Sequence, residues 1–289
     1  MDPLARELEA VLAVDPFDLA DAALTIAKIE YPRLDPASHI ATLDRLGAEA
    51  RRRVDRIAGD STRARVAALN VLLFEDEGFS GNHAHYDDFR NSFLNVVLGR
   101  RLGIPITLAL VYMEVAHRAG IGVHGVAFPG HFLMRVDSRT ANENHDDLVL
   151  DPFDGGVELD EGDCRALLAR HLGTAGEDTP FDRALLRSCT RRQMLARILN
   201  NLKRTYVELR SFPQARRVTD LLLTVDPMLL SELRDRGLLS YHLDDFPAAL
   251  RDLEDYLRVN NWMDESDQQE RGQILEHVKM LRRRVAAMN

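Results

Sequence analysis

One internal repeat narrows the folds open to this chain more than any other feature. Leu209, Phe212, Pro213 and Ala215 recur as Leu243, Phe246, Pro247 and Ala249, each displaced by 34 residues. Four matches at one offset, set among apolar residues at helical spacing, describe pairs of amphipathic helices that bury their apolar faces only by stacking on a neighbour. Asp226-Pro227 closes the second helix of the first pair, because proline biases the residue before it away from helix. The repeats therefore span about 196–229 and 230–263, with a capping helix to 289. The second is degenerate, since Asn261 stands where the first has Pro227. An all-α domain over 181–289 is expected.

Upstream the pattern is mixed. Phe17, Leu19, Ala23, Leu24 and Ala27 lie at helical spacing, and Tyr31-Pro32 stops that helix. Asp35-Pro36 opens the next, with an N-cap aspartate and a first-turn proline. Helices follow over about 62–74 and 89–100, separated by a polar loop from Asn82 to Asp88. After Leu102-Gly103-Ile104-Pro105 the chain is apolar nearly all round as far as Gly120, the pattern of a helix buried on most sides. Residues 123–128, 131–136 and 148–151 are short and rich in branched or aromatic side chains, which predicts three antiparallel strands. The polar insert from Asp137 to Asp147 reads as a hairpin loop, and Gly173 to Pro180 as the interdomain linker. Residues 1–175 thus read as an α+β domain, a helical lobe with a small antiparallel sheet.

Charge and composition exclude several functions. A net charge of −9 argues against nucleic acid as partner, because binding phosphates needs a basic surface. The runs Arg191-Arg192 and Arg282-Arg283-Arg284 read as solvated helix faces. The longest apolar run, Ile104 to Met113, is too short for a membrane span of about 20 residues. The N-terminus lacks the apolar core of a secretory signal. Cys164 and Cys189 form no CxxC pair; they read as reduced thiols of a cytoplasmic protein, both in predicted helices. No motif calls for a cofactor. His83 and His85 have metal-ligand spacing but no partner at a fixed interval, so they read as surface loop and no metal is expected.

The order of parts carries the chemistry. A buried helix begins at Pro105, a strand begins with His131 and a later strand ends at Asp151. A cysteine hydrolase or acyltransferase needs its nucleophile at a helix N-terminus, where the dipole and free N–H groups stabilise a thiolate. A histidine on a facing strand serves as base, and an aspartate fixes the imidazole tautomer. The segment from Gly103-Ile104-Pro105 to Gly120-Ile121, followed by His131 and Asp151-Pro152, resembles the transglutaminase-like core, which is of papain-like type. Arg90-Asn91-Ser92-Phe93-Leu94-Asn95, Arg101 to Ile106, Pro129-Gly130-His131-Phe132-Leu133 and Asp151 to Gly156 are similar to the SirB-type family, bacterial transglutaminase-like proteins with C-terminal tetratricopeptide (TPR) repeats. The resemblance covers nearly the whole chain.

That resemblance implies a nucleophilic cysteine at the position held by Pro105, and proline has no nucleophilic atom. It leaves a His131–Asp151 pair, with Thr107 and Ser92 as the nearest hydroxyls. For His131 the plain reading is a core histidine that orders the sheet. For Arg90 and Asn91 it is helix-start capping and an ion pair; the other reading has them line a cleft with Pro105. The functional expectation is a non-catalytic interaction or regulatory protein that binds a protein or peptide through the TPR region or the cleft. The alternative is an amide or isopeptide hydrolase, or acyl transferase, using a hydroxyl with His131 and Asp151. Family naming associates such proteins with regulation of gene expression. A structural scaffold is the third class.

Overall fold

The computed structural model describes residues 2–59, 61–137, 147–173, 180–259 and 268–288. Helices α1 (Pro3–Leu12), α2 (Leu19–Ala27), α3 (Pro36–Val54) and α4 (Thr62–Asn70) precede a short strand β1 (Ser80–Gly81). Then come α5 (Leu94–Arg100), β2 (Leu102–Gly103), α6 (Pro105–Arg118), β3 (Val123–Val126), β4 (Leu133–Val136), β5 (Leu148–Asp151) and β6 (Val157–Leu159). The remainder is helical: α7 (Glu161–Leu172), α8 (Arg191–Glu208), α9 (Phe212–Val225), α10 (Leu230–His242), α11 (Phe246–Val259) and α12 (Gln268–Ala286).

Two compact units divide the chain. Asp18–Ile198 form one; the chain before Asp18 and after Ile198 forms the other. This differs from the boundary expected at 175–181. The division falls inside α8, and the N-terminal helix groups with the repeats rather than with the α+β unit. Most of the expected insert and linker, residues 138–146 and 174–179, lie outside the described residues, as does Asn261.

In the α+β unit α6 is enclosed by α2, α3 and α5 and by strands β3 and β4. Leu108, Val111 and Val115 are each no more than 2% exposed, so its all-round apolar sequence is matched by all-round packing. The sheet has the order β3-β4-β5-β6, antiparallel throughout. Because facing residues share a side of the sheet, Val126, Leu133 and Val149 lie together; Cys164 and Leu168 of α7 cover them. The opposite side carries Met134, Val136 and Leu150, all fully buried.

Local departures from the sequence expectation have identifiable causes. The fourth strand, β6, was not anticipated: it is three residues long and mostly exposed, so it lacks the branched apolar run that marks its neighbours. The helix expected over 62–74 passes from α4 into a wider π-helical turn at Val71–Asp76. The helix expected over 89–100 is broken. Phe89–Ser92 form a 3-10 turn, Phe93 is extended, and α5 follows. Phe93 is fully buried, its ring edge-on to Tyr31 and Phe89, and that packing overrides local helix propensity. Cys189 is not helical. It lies in an extended segment whose backbone N–H donates to Gly125 O at 2.8 Å, along the outer edge of β3.

In the second unit α9, α10, α11 and α12 pack in succession, and α1 lies on α9. Ala215 and Ala249, the alanines of the 34-residue repeat, are fully buried. Leu4, Leu8 and Leu12 of α1 are buried as well, and Arg217 Nε meets Asp2 Oδ2 at 2.9 Å. Ile274, Val278 and Leu281 of α12 complete a core with Ala249, Leu253 and Tyr256. Among the described residues, no helix is long and apolar enough to cross a membrane.

Candidate functional site

His131 and Asp151 meet because of the strand register. Met134 faces Leu150 in the antiparallel β4–β5 pair, so a residue three before Met134 arrives beside the end of β5. His131 sits in the bend two residues ahead of β4 rather than on the strand itself. Its Nε2 lies 2.8 Å from Asp151 Oδ2, with side chains 17% and 4% exposed. A carboxylate only accepts, so Nε2 carries the proton and Nδ1 is left for other chemistry. A second pair, His124 Nε2 to Asp137 Oδ2 at 2.7 Å, has nearly half of each side chain in solvent. Burial therefore sets the His131 pair apart, since a buried carboxylate is retained only with partners.

Those partners are numerous. The Phe153 N–H donates to Asp151 Oδ1 at 2.8 Å, and the Gly156 N–H donates to the Asp151 carbonyl at 2.7 Å. Asn70 of α4 donates to Gly156 O at 2.8 Å and accepts the Tyr112 hydroxyl at 3.0 Å. A hydrogen-bonded relay thus runs from α6 through α4 to the turn after Asp151. Tyr112 is fully buried, and burial pushes its phenol well above the ordinary range. The histidine loop has its own clasp: Arg197 Nη2 donates to the carbonyls of His131 and Phe128 at 3.2 and 3.3 Å. Gly130 adopts φ +68°, and a Cβ there would lie 2.3 Å from the His171 ring. Only glycine satisfies both demands.

Pro105 is the first residue of α6, where its missing N–H costs nothing. Thr107, one of the two candidate hydroxyls, is fully buried and engaged. Its Oγ1 donates to Asn91 O at 2.7 Å and accepts the Ile104 N–H at 3.2 Å. Ser92 is buried at 8% exposure. Among the described residues, no hydroxyl is hydrogen-bonded to His131. Asn91 is fully buried: its amide donates to His85 O at 2.7 Å and its oxygen accepts from Asn82 at 2.9 Å. Arg90 is exposed and pairs with Asp88 at 2.8 Å. Burial alone would raise the Asp88 pKa, but hydrogen bonds from Arg90 and Arg100 hold the carboxyl at about 2. Arg90 is thus held by an ion pair with the residue that caps this turn, Asp88, and Asn91 by buried hydrogen bonds to the preceding loop.

The structure adds neighbours that the sequence did not single out as a group. The Phe153 ring lies edge-on to His131 at 6.3 Å and to Tyr86 at 5.8 Å, and His83 tilts over it at 4.3 Å. The polar loop from Asn82 to Asp88 thus reaches the histidine through Phe153. It is anchored by a parallel bridge between β1 and β2 and by the buried Asn82. Phe153 was visible only as part of the Asp-Pro-Phe run. Arg197, 66 residues from His131, left no local signal. Neither thiol belongs to this constellation: Cys164 is packed under the sheet, where burial pushes it up to about 11.

Comparison with known proteins agrees with this architecture. Residues 37–200 match the family described as Transglutaminase-like superfamily, and residues 202–283 match Tetratricopeptide repeat. A UPF0162 protein of Xylella fastidiosa is 42% identical over 246 residues, covering 83% of each chain. A UPF0162 protein of Pseudomonas aeruginosa is 34% identical over 283 residues, covering 95% of this chain and 96% of that one. Protein SirB1 of Salmonella typhimurium is 26% identical over 211 residues, 73% of this chain and 75% of the other. With both family models and these relatives in agreement with the fold and the repeat, the chain belongs to the SirB-type family of bacterial transglutaminase-like proteins with C-terminal tetratricopeptide repeats.

Proposed function

We propose that this protein is a non-catalytic, cytoplasmic interaction and regulatory protein that binds a protein or peptide partner. One observation carries the reading. The residue at the start of α6 where the resemblance expects a cysteine is Pro105, and the hydroxyl in that turn, Thr107, is engaged with Asn91 O and the Ile104 N–H. A hydroxyl nucleophile needs a base within hydrogen-bond reach, and His131 meets none among the described residues. The His131–Asp151 pair then serves to order the turn and loop around it. The repeat region supports the interaction half of the reading, because stacked helical hairpins present extended surfaces to partners. The test is incubation of the full-length protein with amide, thioester and isopeptide substrates. The expected result is no turnover above background, unchanged in His131→Ala. Turnover that His131→Ala abolishes would overturn the reading in favour of a hydroxyl-dependent hydrolase or transferase.

A further inference from the structure

The loop from Asn82 to Asp88 is held more firmly than its own side chains require. Asn91, fully buried, donates its amide to the carbonyls of His85 and Tyr86 at 2.7 and 3.2 Å. Asn82, also buried, accepts the His85 N–H at 3.2 Å, and its own N–H donates to Gly103 O at 2.9 Å. Yet every residue from His83 to Asp87 is exposed. Buried polar bonds thus fix a stretch of backbone whose side chains face solvent. That is how a rigid scaffold positions a loop for recognition.

The outer surface of this loop has a definite chemistry. Phe153 is seated over Gly81, where a Cβ would lie 2.7 Å from its ring. Tyr86 stands edge-on to Phe153 at 5.8 Å, and His83 tilts over it at 4.3 Å. Two carboxylates accompany these rings. Asp154, mostly in solvent, has His83 Nε2 at 3.8 Å, beyond hydrogen-bond reach. Asp87 is exposed and makes no hydrogen bond or ion pair among the described residues. The arginines of this region are committed elsewhere, since Arg90 and Arg100 both turn to Asp88, at 2.8 and 3.2 Å. The loop and the turn after Asp151 therefore present aromatic rings beside two carboxylates with no close cation. Rings attract a cation through their quadrupole, and the carboxylates attract it by charge.

We propose that this ledge binds an arginine side chain of a protein or peptide partner, its guanidinium stacked on Tyr86 and Phe153 with Asp87 and Asp154 as acceptors. A guanidinium plane lies on an aromatic ring and keeps its N–H groups at the edge for carboxylates, whereas an ammonium is a compact, strongly hydrated point charge. This rests on the interaction reading above and names one contact for it. Its failure would remove the contact, while the turnover assay decides the non-catalytic reading separately.

The experiment follows backbone amide shifts of the full-length protein by NMR as acetyl-Ala-Arg-Ala-amide is added, with the citrulline and lysine peptides in parallel. Saturable shifts are expected at millimolar peptide, centred on residues 83–87 and 153–154. The neutral citrulline peptide should bind about tenfold more weakly through loss of charge-assisted bonds, and the lysine peptide about threefold more weakly through loss of stacking. The double variant Asp87→Asn/Asp154→Asn changes two exposed residues and should keep the melting temperature; in it the arginine and citrulline peptides should bind nearly alike. No saturable shifts, shifts centred elsewhere, equal binding of the citrulline or lysine peptide, or an unaltered preference in the double variant would overturn the proposal.

Discussion

Asp151 is held on three sides: by the His131 ring, by the Phe153 N–H and, through its carbonyl, by the Gly156 N–H. The third side depends on Asn70, which joins that turn to the Tyr112 hydroxyl on α6. Removing one partner of a buried hydrogen bond costs more than removing both, because the survivor keeps its desolvation penalty. Asn70→Leu is therefore expected to destabilise the protein by about 1–3 kcal/mol, and Tyr112→Phe in the same background should recover part of the loss. Urea unfolding of the two single variants and the double variant measures the coupling. Strict additivity would mean that the relay is geometry without energy.

At the scale of elements, the 34-residue repeat has energetic consequences. Ala249 is fully buried among Leu253, Tyr256, Ile274 and Val278, and Gly237 of α10 lies so close to α11 that a Cβ would come within 2.7 Å of Leu253. Helices this close admit only small side chains. Ala249→Trp should overpack the crossing and cost about 1–3 kcal/mol; an unchanged melting temperature would count against α10 and α11 as a stacked pair. Such crossings were legible in the sequence because small residues recur at a fixed period. The same holds for α6, whose apolar composition and first-turn proline are local signals. The His131–Asp151 pair was legible through strand order together with the resemblance. What escaped was fixed by tertiary contact. The exposed residues of β6 carry no strand pattern, Phe93 breaks a helix by packing between two rings, and Arg197 reaches the histidine loop from a helix far along the chain. Cys189 falls in a helical pattern by sequence, whereas its place is set by a backbone bond to β3.

At the scale of the molecule, the repeat unit is assembled from both ends of the chain. Two hairpins leave apolar surface at each end of the stack, and terminal elements of such arrays need a cap. On one side α12 supplies it through Ile274, Val278 and Leu281. On the other, α1 lies on α9 with Leu4, Leu8 and Leu12 buried and Arg217 bound to Asp2. The first helix is thus a cap contributed from some 200 residues away, and closing so long a loop costs little more entropy than closing a short one. Leu8 is the measure of this arrangement, since it is 0% exposed. Leu8→Ala should cost about 2–5 kcal/mol through lost burial and the cavity left behind. The loss should appear as faster hydrogen exchange at the backbone amides of α9 and α11, with protection in β4 and β5 retained. Faster exchange confined to the sheet would assign α1 to the α+β unit, and the repeat array would then need a different cap on its α9 side.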